Sequence, residues 1–147
     1  MGVGPSPLLA AAIALLSRRD FSRAELRSRL LRRADAAVEV DEVLDHVQAQ
    51  GLLCERRFVE GFVRARAARF GPARLRHELA RRGIEQDLID AALAAHQADE
   101  FASAQALWLK RFKTAPLDAR ERARQARFLS GRGFSHEVIR RILKTAA

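Results

Sequence analysis

Residues 58–93 read FVEGFVRARAARFGPARLRHELARRGIEQDLIDAAL, a stretch with three short helical patterns and two turn signals. Apolar residues recur over 58–63 at the 3.6-residue period of a helix. Gly71-Pro72 then predicts the end of one helix and the start of the next, because proline has no N–H to lose at a first helical position. Gly83 predicts the end of the second helix, since glycine readily adopts the left-handed conformation that a helix end often requires. The stretch therefore predicts a three-helix unit.

The same pattern occurs three times along the chain. Corresponding positions lie 49 residues apart between the first and second copies and 50 apart between the second and third. Such a constant offset indicates an internal repeat. The corresponding apolar residues are Leu9, Phe58 and Trp108; Ile13, Phe62 and Phe112; Leu30, Leu79 and Leu129; Val40, Ile89 and Ile139; and Leu44, Leu93 and Leu143. We predict a disordered leader over residues 1–7 and three-helix repeats over 8–53, 54–97 and 98–147.

Composition also favours an all-α fold. Alanine, leucine and arginine dominate the 147 residues, and all three are good helix formers. In the first helix Leu9, Ile13 and Leu16 are predicted to face inward. Ser22 and Glu25 then form a Ser-x-x-Glu capping box, in which each side chain satisfies the other's backbone donor. Because a three-helix unit this short must stack on its neighbours, we predict an elongated, curved, solenoid-like body, with a compact nine-helix globule as the alternative.

The net charge of +9 is concentrated in two segments. Residues 56–82 carry +7 and residues 110–147 carry +8, whereas residues 1–55 carry −1 and residues 83–109 carry −5. Basic clusters suit contact with phosphates or with an acidic partner, although an arginine-rich composition could also be only a solvated surface. Arginine outnumbers lysine 24 to 3, and its guanidinium binds phosphate through two donors at once. The candidate partner- and DNA-binding residues are Arg57, Arg64, Arg66, Arg69, Arg74, Arg76, Arg81, Arg82, Lys110, Arg111, Lys113, Arg124, Arg127 and Arg132.

Signals for catalysis, metals and membranes are missing from the sequence. The four histidines are scattered and fit no metal-ligand spacing, and Gly131-Arg132-Gly133 lacks the strand and Lys-Ser/Thr pair of a phosphate loop. A single cysteine, Cys54, excludes an internal disulfide and fits a reducing compartment. The apolar run over residues 8–16 is too short to span a bilayer and lacks a preceding basic region. We expect a cytoplasmic, non-enzymatic protein without cofactor or metal.

Three stretches carry a resemblance to a known family. They are ALLSRRDFSRAELRSRLLRR at 14–33, FVRARAARFGPARLRHELARRGI at 62–84 and ARFLSGRGFSHEVIRRIL at 126–143, and they include Glu-Leu-x-x-x-Gly-Ile and Arg-Gly-Phe-Ser elements. The chain resembles the RecX family of bacterial recombination regulators. Two departures are Cys54-Glu55, where the family usually has an acidic pair, and Ala34-Asp35, where it often has Lys-Gly.

The resemblance implies three tandem three-helix repeats in a curved molecule that modulates the RecA recombinase. Members of the family typically inhibit the ATPase and strand exchange of RecA by lodging in the groove of its filament on single-stranded DNA, in DNA repair and the SOS response. We therefore expect a monomer that meets the RecA filament and single-stranded DNA phosphates, and no membrane. The alternatives are a stand-alone nucleic-acid-binding module and a helical scaffold for an acidic protein.

Overall fold

The computed structural model describes residues 6–146, and this part of the chain contains nine α-helices, one short 3-10 turn and no strand. The all-α prediction is confirmed. The helices are α1 Pro7–Arg18, α2 Arg23–Leu31, α3 Ala37–Ala49, α4 Glu55–Arg66, α5 Pro72–Arg81, α6 Gln86–Ala95, α7 Glu100–Arg111, α8 Ala119–Gly131 and α9 His136–Ala146, with the 3-10 turn at Gln97–Asp99.

The helix boundaries follow local chemistry. Helix α5 begins at Pro72, as predicted. Gly83 and Gly133, which follow α5 and α8, have φ angles of +80° and +90°, the left-handed conformation expected at these helix ends. The hydroxyl of Ser135 accepts a hydrogen bond from the backbone N–H of Val138 (3.3 Å) and so caps α9.

The predicted leader was too long at its C-terminal end. Residues 1–5 lie outside the described part of the chain, whereas Ser6 and Pro7 belong to the start of α1. The Ser6 hydroxyl accepts a hydrogen bond from the backbone N–H of Leu9 (3.1 Å), and Pro7 occupies the first turn. A serine cap followed by proline is a typical helix start. The boundaries of the three repeats at 8–53, 54–97 and 98–147 stay a prediction.

Contacts divide the chain into two compact units, each with its own apolar interior. The first unit comprises residues up to Glu60 together with Arg82–Ile84. Its helices α1 and α2 pack against α3. Its buried apolar residues are Leu8, Ala12, Phe21, Leu26, Leu30, Val40, Leu44, Val47 and Leu53.

The buried face of α1 differs in part from the predicted one. Leu8 and Ala12 are buried, Leu9 and Leu16 are half-buried and pack against the core cluster, and only Ile13, 39% exposed, contradicts the prediction. The prediction favoured the larger side chains, but the small Ala12 is fully buried in the core cluster. A shift of one residue rotates a helix face by about 100°. The position equivalent to Phe58 is therefore Leu8, 50 residues earlier, and not Leu9.

The predicted capping box forms only in part. The Ser22 hydroxyl accepts a hydrogen bond from the backbone N–H of Glu25 (3.0 Å). The Glu25 carboxylate instead accepts hydrogen bonds from Arg19 (3.3 Å) and Arg82 (2.9 Å). At the start of α2, the Glu55 carboxylate accepts a hydrogen bond from the backbone N–H of Arg23 (2.8 Å). Glu55, which stands with Cys54 where the family usually has an acidic pair, therefore caps α2.

The second unit comprises Gly61–Arg81 and the chain from Glu85 onward. Within it α5 packs against α6, and α7 and α8 pack against α9. The indole N–H of Trp108 donates a hydrogen bond of 2.7 Å to the buried side-chain oxygen of Gln125. An apolar cluster of this unit consists of Ala104, Trp108, Leu129, Phe134, Val138, Ile139, Ile142 and Leu143.

Candidate partner-binding surface

Two glycine turns of the second unit meet backbone to backbone. The N–H of Gly71 donates to the carbonyl of Arg132 (2.7 Å), and the N–H of Ala73 donates to the carbonyl of Gly133 (3.1 Å). A Cβ atom on Gly71 would lie 2.4 Å from the Gly133 carbonyl group, so only glycine fits this position. The contact brings the turn before α5 next to the turn after α8, although the two lie about 60 residues apart in sequence.

This junction surrounds one aromatic ring with guanidinium groups. The guanidinium carbon of Arg74 lies 4.5 Å from the centroid of the Phe70 ring. Those of Arg132 and Arg69 lie 5.6 Å and 5.7 Å from the same centroid. Cation–aromatic contacts of this kind contribute roughly 0.5–1 kcal/mol each at exposed sites. The Phe70 ring therefore helps to hold three cationic groups around it.

The pattern continues through two further rings, one directly after α7 and one on α8. Arg132 also lies 5.3 Å from the Phe128 centroid, and Phe128 packs edge-on against Phe112 at 5.4 Å. The guanidinium carbon of Arg111 lies 5.6 Å from the Phe112 centroid and 5.8 Å from the Phe128 centroid. That of Arg124 lies 5.5 Å from the Phe112 centroid. We call this continuous set the arginine–phenylalanine surface. It consists of Arg69, Arg74, Arg111, Arg124 and Arg132 with Phe70, Phe112 and Phe128.

The surface keeps a net positive charge despite two internal ion pairs. Arg74 pairs with Glu78 at 3.2 Å, and Arg124 pairs with Glu121 at 3.1 Å. Arg69, Arg111 and Arg132 have no ion pair with any residue between 6 and 146. Because a guanidinium carries five N–H donors and a cation–aromatic contact requires none of them, these arginines can still donate to an oxyanion.

Two of the predicted site residues lie in the first unit and bind its acids. Arg57 contacts Asp20 (2.7 Å) and the backbone carbonyl of Leu52 (3.1 Å), and its hydrogen bond to Asp20 raises the pKa of its guanidinium. Arg82 contacts Glu25 at 2.9 Å. Both guanidinium groups therefore help to stabilise the first unit.

The remaining predicted residues fall into two sets. Arg76 forms an ion pair with Asp90, and the guanidinium of Arg66 stacks on the Phe62 ring at 3.7 Å. The others are exposed and contact no acid or ring in the part of the chain that the structure describes. They are Arg64, Arg81, Lys110, Lys113 and Arg127.

Sequence reasoning missed the aromatic members of the surface. Phe112 was predicted only as a repeated apolar residue, yet its ring, like those of Phe70 and Phe128, is only half-buried. The available signal was the placement of arginines next to these phenylalanines, in Arg69-Phe70 and Arg111-Phe112. Such alternation suits nucleic acids, which offer phosphates to cations and bases to flat side chains.

No metal centre or membrane span accompanies this surface. Between residues 6 and 146 no group of three or more His, Cys, Asp or Glu side chains is placed to hold a metal ion. None of the helices over the same range is both long and apolar enough to cross a bilayer. The repeated three-helix units place the protein in the class of all-α helical repeat proteins, and its candidate site is an arginine-rich surface.

Comparison with known proteins identifies the family. The family model for the second three-helix domain of RecX matches residues 55–93, and that for the third matches residues 98–143. The chain is 46% identical to regulatory protein RecX of Leptothrix cholodnii, with 92% of this chain and 86% of the relative aligned. It is 43% identical to regulatory protein RecX of Ralstonia nicotianae, over 97% of this chain and 89% of the relative. The chain therefore belongs to the RecX family, whose members are named regulatory proteins.

Solved structures agree with the fold. RecX from Lactobacillus salivarius superposes with a TM-score of 0.83 at 19% identity, covering 95% of this chain and 94% of that one. A second structure, of a regulatory protein RecX, gives a TM-score of 0.79 at 23% identity, covering 93% and 73% of the two chains. The three-helix organisation is therefore shared with two proteins that are only 19% and 23% identical to this chain in sequence.

Proposed function

We propose that this protein regulates homologous recombination and DNA repair by binding the RecA filament on single-stranded DNA and inhibiting its ATPase and strand exchange. Membership of the RecX family supports regulation of RecA. The arginine–phenylalanine surface is the observation that carries the proposed contact with DNA phosphates. The protein acts as a cytoplasmic monomer through binding and not through catalysis. The elongated, curved shape expected from the repeats is part of this proposal.

The proposed mechanism is electrostatic and steric. Arg111 and Arg132 are held by aromatic rings, so they lose less side-chain freedom on binding a phosphate than fully mobile arginines would. Phosphate contacts add affinity by releasing counterions from the DNA. A protein bound to both the DNA and the recombinase would block access of the second strand and slow ATP turnover.

The decisive measurement is the single-stranded-DNA-dependent ATPase of RecA at increasing concentrations of this protein. We expect ATP turnover to fall until the protein saturates the filament. Unchanged turnover at stoichiometric excess would contradict the proposed function.

The contribution of the arginine–phenylalanine surface is tested with Arg111→Gln, Arg124→Gln and Arg132→Gln combined. The matched control combines Arg18→Gln, Arg32→Gln and Arg33→Gln, which removes the same charge from exposed sites in the first unit. We expect the first variant to need a higher concentration for half-inhibition, by roughly tenfold or more, and the control to resemble the wild type. Equal inhibition by both variants would place the DNA contact elsewhere.

A second candidate function is a stand-alone nucleic-acid-binding module. It is favoured by the same alternation of guanidinium groups and half-buried rings, which would also suit a naked single strand. Co-sedimentation with naked DNA, with RecA alone and with RecA filaments separates the two functions. Binding to naked strands as tight as to RecA-coated strands would favour this second candidate.

A further inference from the structure

A cleft of about 550 Å³ opens in the second unit, between helices α5 and α6 on one side and the 3-10 turn, α7 and α9 on the other. Its apolar lining includes side chains that are themselves almost fully buried, so only a small part of each is exposed at the cleft. These residues are Leu75, Leu93, Phe134 and Val138, with half-buried Phe70 at one side.

The polar lining of the cleft is acidic, although the protein as a whole is strongly basic. Four carboxylates line it, those of Asp90, Asp99, Glu100 and Glu137, against the guanidinium groups of Arg76 and Arg141. Three of the four come from residues 83–109, a segment with a net charge of −5 and no lysine or arginine. The cleft is therefore locally negative.

Two of these carboxylates are already used by the fold. Asp90 pairs with Arg76, and Glu100 accepts hydrogen bonds from the backbone N–H (2.8 Å) and hydroxyl (3.3 Å) of Ser135 at the start of α9. Asp99 and Glu137 are exposed, and neither side chain contacts a cation among residues 6–146. They are the two carboxylates available to an incoming positive group.

We propose that this cleft binds a basic segment of the recombinase protomer, namely a lysine or arginine side chain flanked by an aliphatic or aromatic residue. The cation meets Asp99 and Glu137, and its apolar neighbour packs against the small parts of Phe134 and Val138 that are exposed at the cleft. Phosphates are disfavoured here because the same carboxylates repel them. The inference rests on the proposed function and divides it between two sites: the cleft contacts protein, and the arginine–phenylalanine surface contacts DNA.

The test removes the two available charges while keeping side-chain shape, in the double variant Asp99→Asn with Glu137→Gln. Its matched control is Glu39→Gln with Glu42→Gln, two exposed acids of α3 in the first unit. Each protein is titrated against RecA without DNA and, separately, against a labelled single-stranded oligonucleotide. We expect the cleft variant to lose affinity for RecA by roughly tenfold and to keep its affinity for the oligonucleotide, and the control to resemble the wild type.

The outcomes separate this inference from the proposed function. Failure of the wild-type protein to bind RecA without DNA would overturn this inference alone, because the proposed function concerns the filament and is tested by the DNA-dependent ATPase. Binding of RecA by the cleft variant with wild-type affinity would overturn the cleft assignment alone. A parallel loss of both affinities would also overturn it, because the substitutions would then act on the whole molecule. Glu137→Gln alone is a milder second variant. Its unfolding curve, compared with that of the wild type, shows whether the substitution leaves the fold intact.

Discussion

The backbone of Gly71 approaches that of Gly133 so closely that a Cβ on Gly71 would lie 2.4 Å from the carbonyl carbon and oxygen of Gly133. Real Cβ atoms do not tolerate such a distance, and the atoms in the way are backbone atoms that cannot rotate aside. The hydrogen bond from the Gly71 N–H to the Arg132 carbonyl closes the same contact at 2.7 Å. The position of Arg132 beside Phe70 therefore depends on the absence of a side chain at Gly71.

Gly71→Ala is expected to destabilise the protein by roughly 2–4 kcal/mol, because the two turns must separate and lose their hydrogen bonds. Gly61→Ala is the matched control, since Gly61 lies inside α4 with no atom near the added methyl group. There alanine should stabilise the helix by about 0.5–1 kcal/mol. Urea unfolding curves measure both changes, and equal midpoints for the two variants would contradict the close approach.

Gln125→Leu is expected to cost roughly 1–3 kcal/mol, although leucine is more apolar and similar in size. The substitution removes the acceptor of the Trp108 indole N–H, which the buried Gln125 oxygen satisfies at 2.7 Å. It also removes the side-chain donor to the Thr114 carbonyl (3.3 Å). Trp108 is the only tryptophan of the chain, so its fluorescence follows unfolding directly. An unchanged unfolding midpoint would show that the hydrogen bond adds no stability.

Arg27→Gln is expected to raise the pKa of Asp41 towards its ordinary value. The hydrogen bond from Arg27 to Asp41 (2.9 Å) holds the pKa of that carboxyl below its usual range. Because the folded-state pKa is lowered, this contact stabilises the protein above the ordinary aspartate pKa of about 3.9 and is lost as the pH falls through the lowered value. Carboxyl NMR titration measures the shift, with Arg33→Gln as the control. The same Asp41 pKa in both variants would contradict the pairing.

Salt dependence provides a quantitative test of the arginine–phenylalanine surface. Each phosphate contact to a single strand contributes about 0.7 to the slope of log affinity against log salt concentration. The combined Arg111, Arg124 and Arg132 glutamine variant should therefore lower the magnitude of that slope by about 2. Fluorescence anisotropy with a labelled oligonucleotide, between about 50 and 200 mM salt, measures it. The control at Arg18, Arg32 and Arg33 should leave the slope unchanged, and an equal decrease in both would indicate nonspecific attraction.

Short-range patterns predicted the elements of this fold well. The spacing over residues 58–63, the start of α5 at Pro72 and the left-handed turn at Gly83 were all predicted correctly. Each depends on backbone preferences and contacts within a few residues. The buried face of α1 was predicted only in part: Leu9 and Leu16 pack against the core, but its most buried residues are Leu8 and the small Ala12, and Ile13 is exposed.

The use made of each arginine could not be predicted in the same way. Arg82 contacts Glu25, 57 residues away, and Arg132 contacts the Phe70 ring, 62 residues away. Arginines in one sequence cluster therefore differ: Arg82 stabilises a unit, whereas Arg81, its neighbour, is exposed and contacts no acid or ring described in the structure.

The sequence by itself determined the helical repeats, their turns and the basic character of the chain, because helix period, capping and charge are properties of neighbouring residues. Only the tertiary structure decided which guanidinium groups stack on phenylalanine rings, which pair with acids, and where carboxylates line an apolar cleft. Those arrangements require residues far apart in the chain to meet, and their meeting depends on backbone approaches such as that of Gly71 to Gly133.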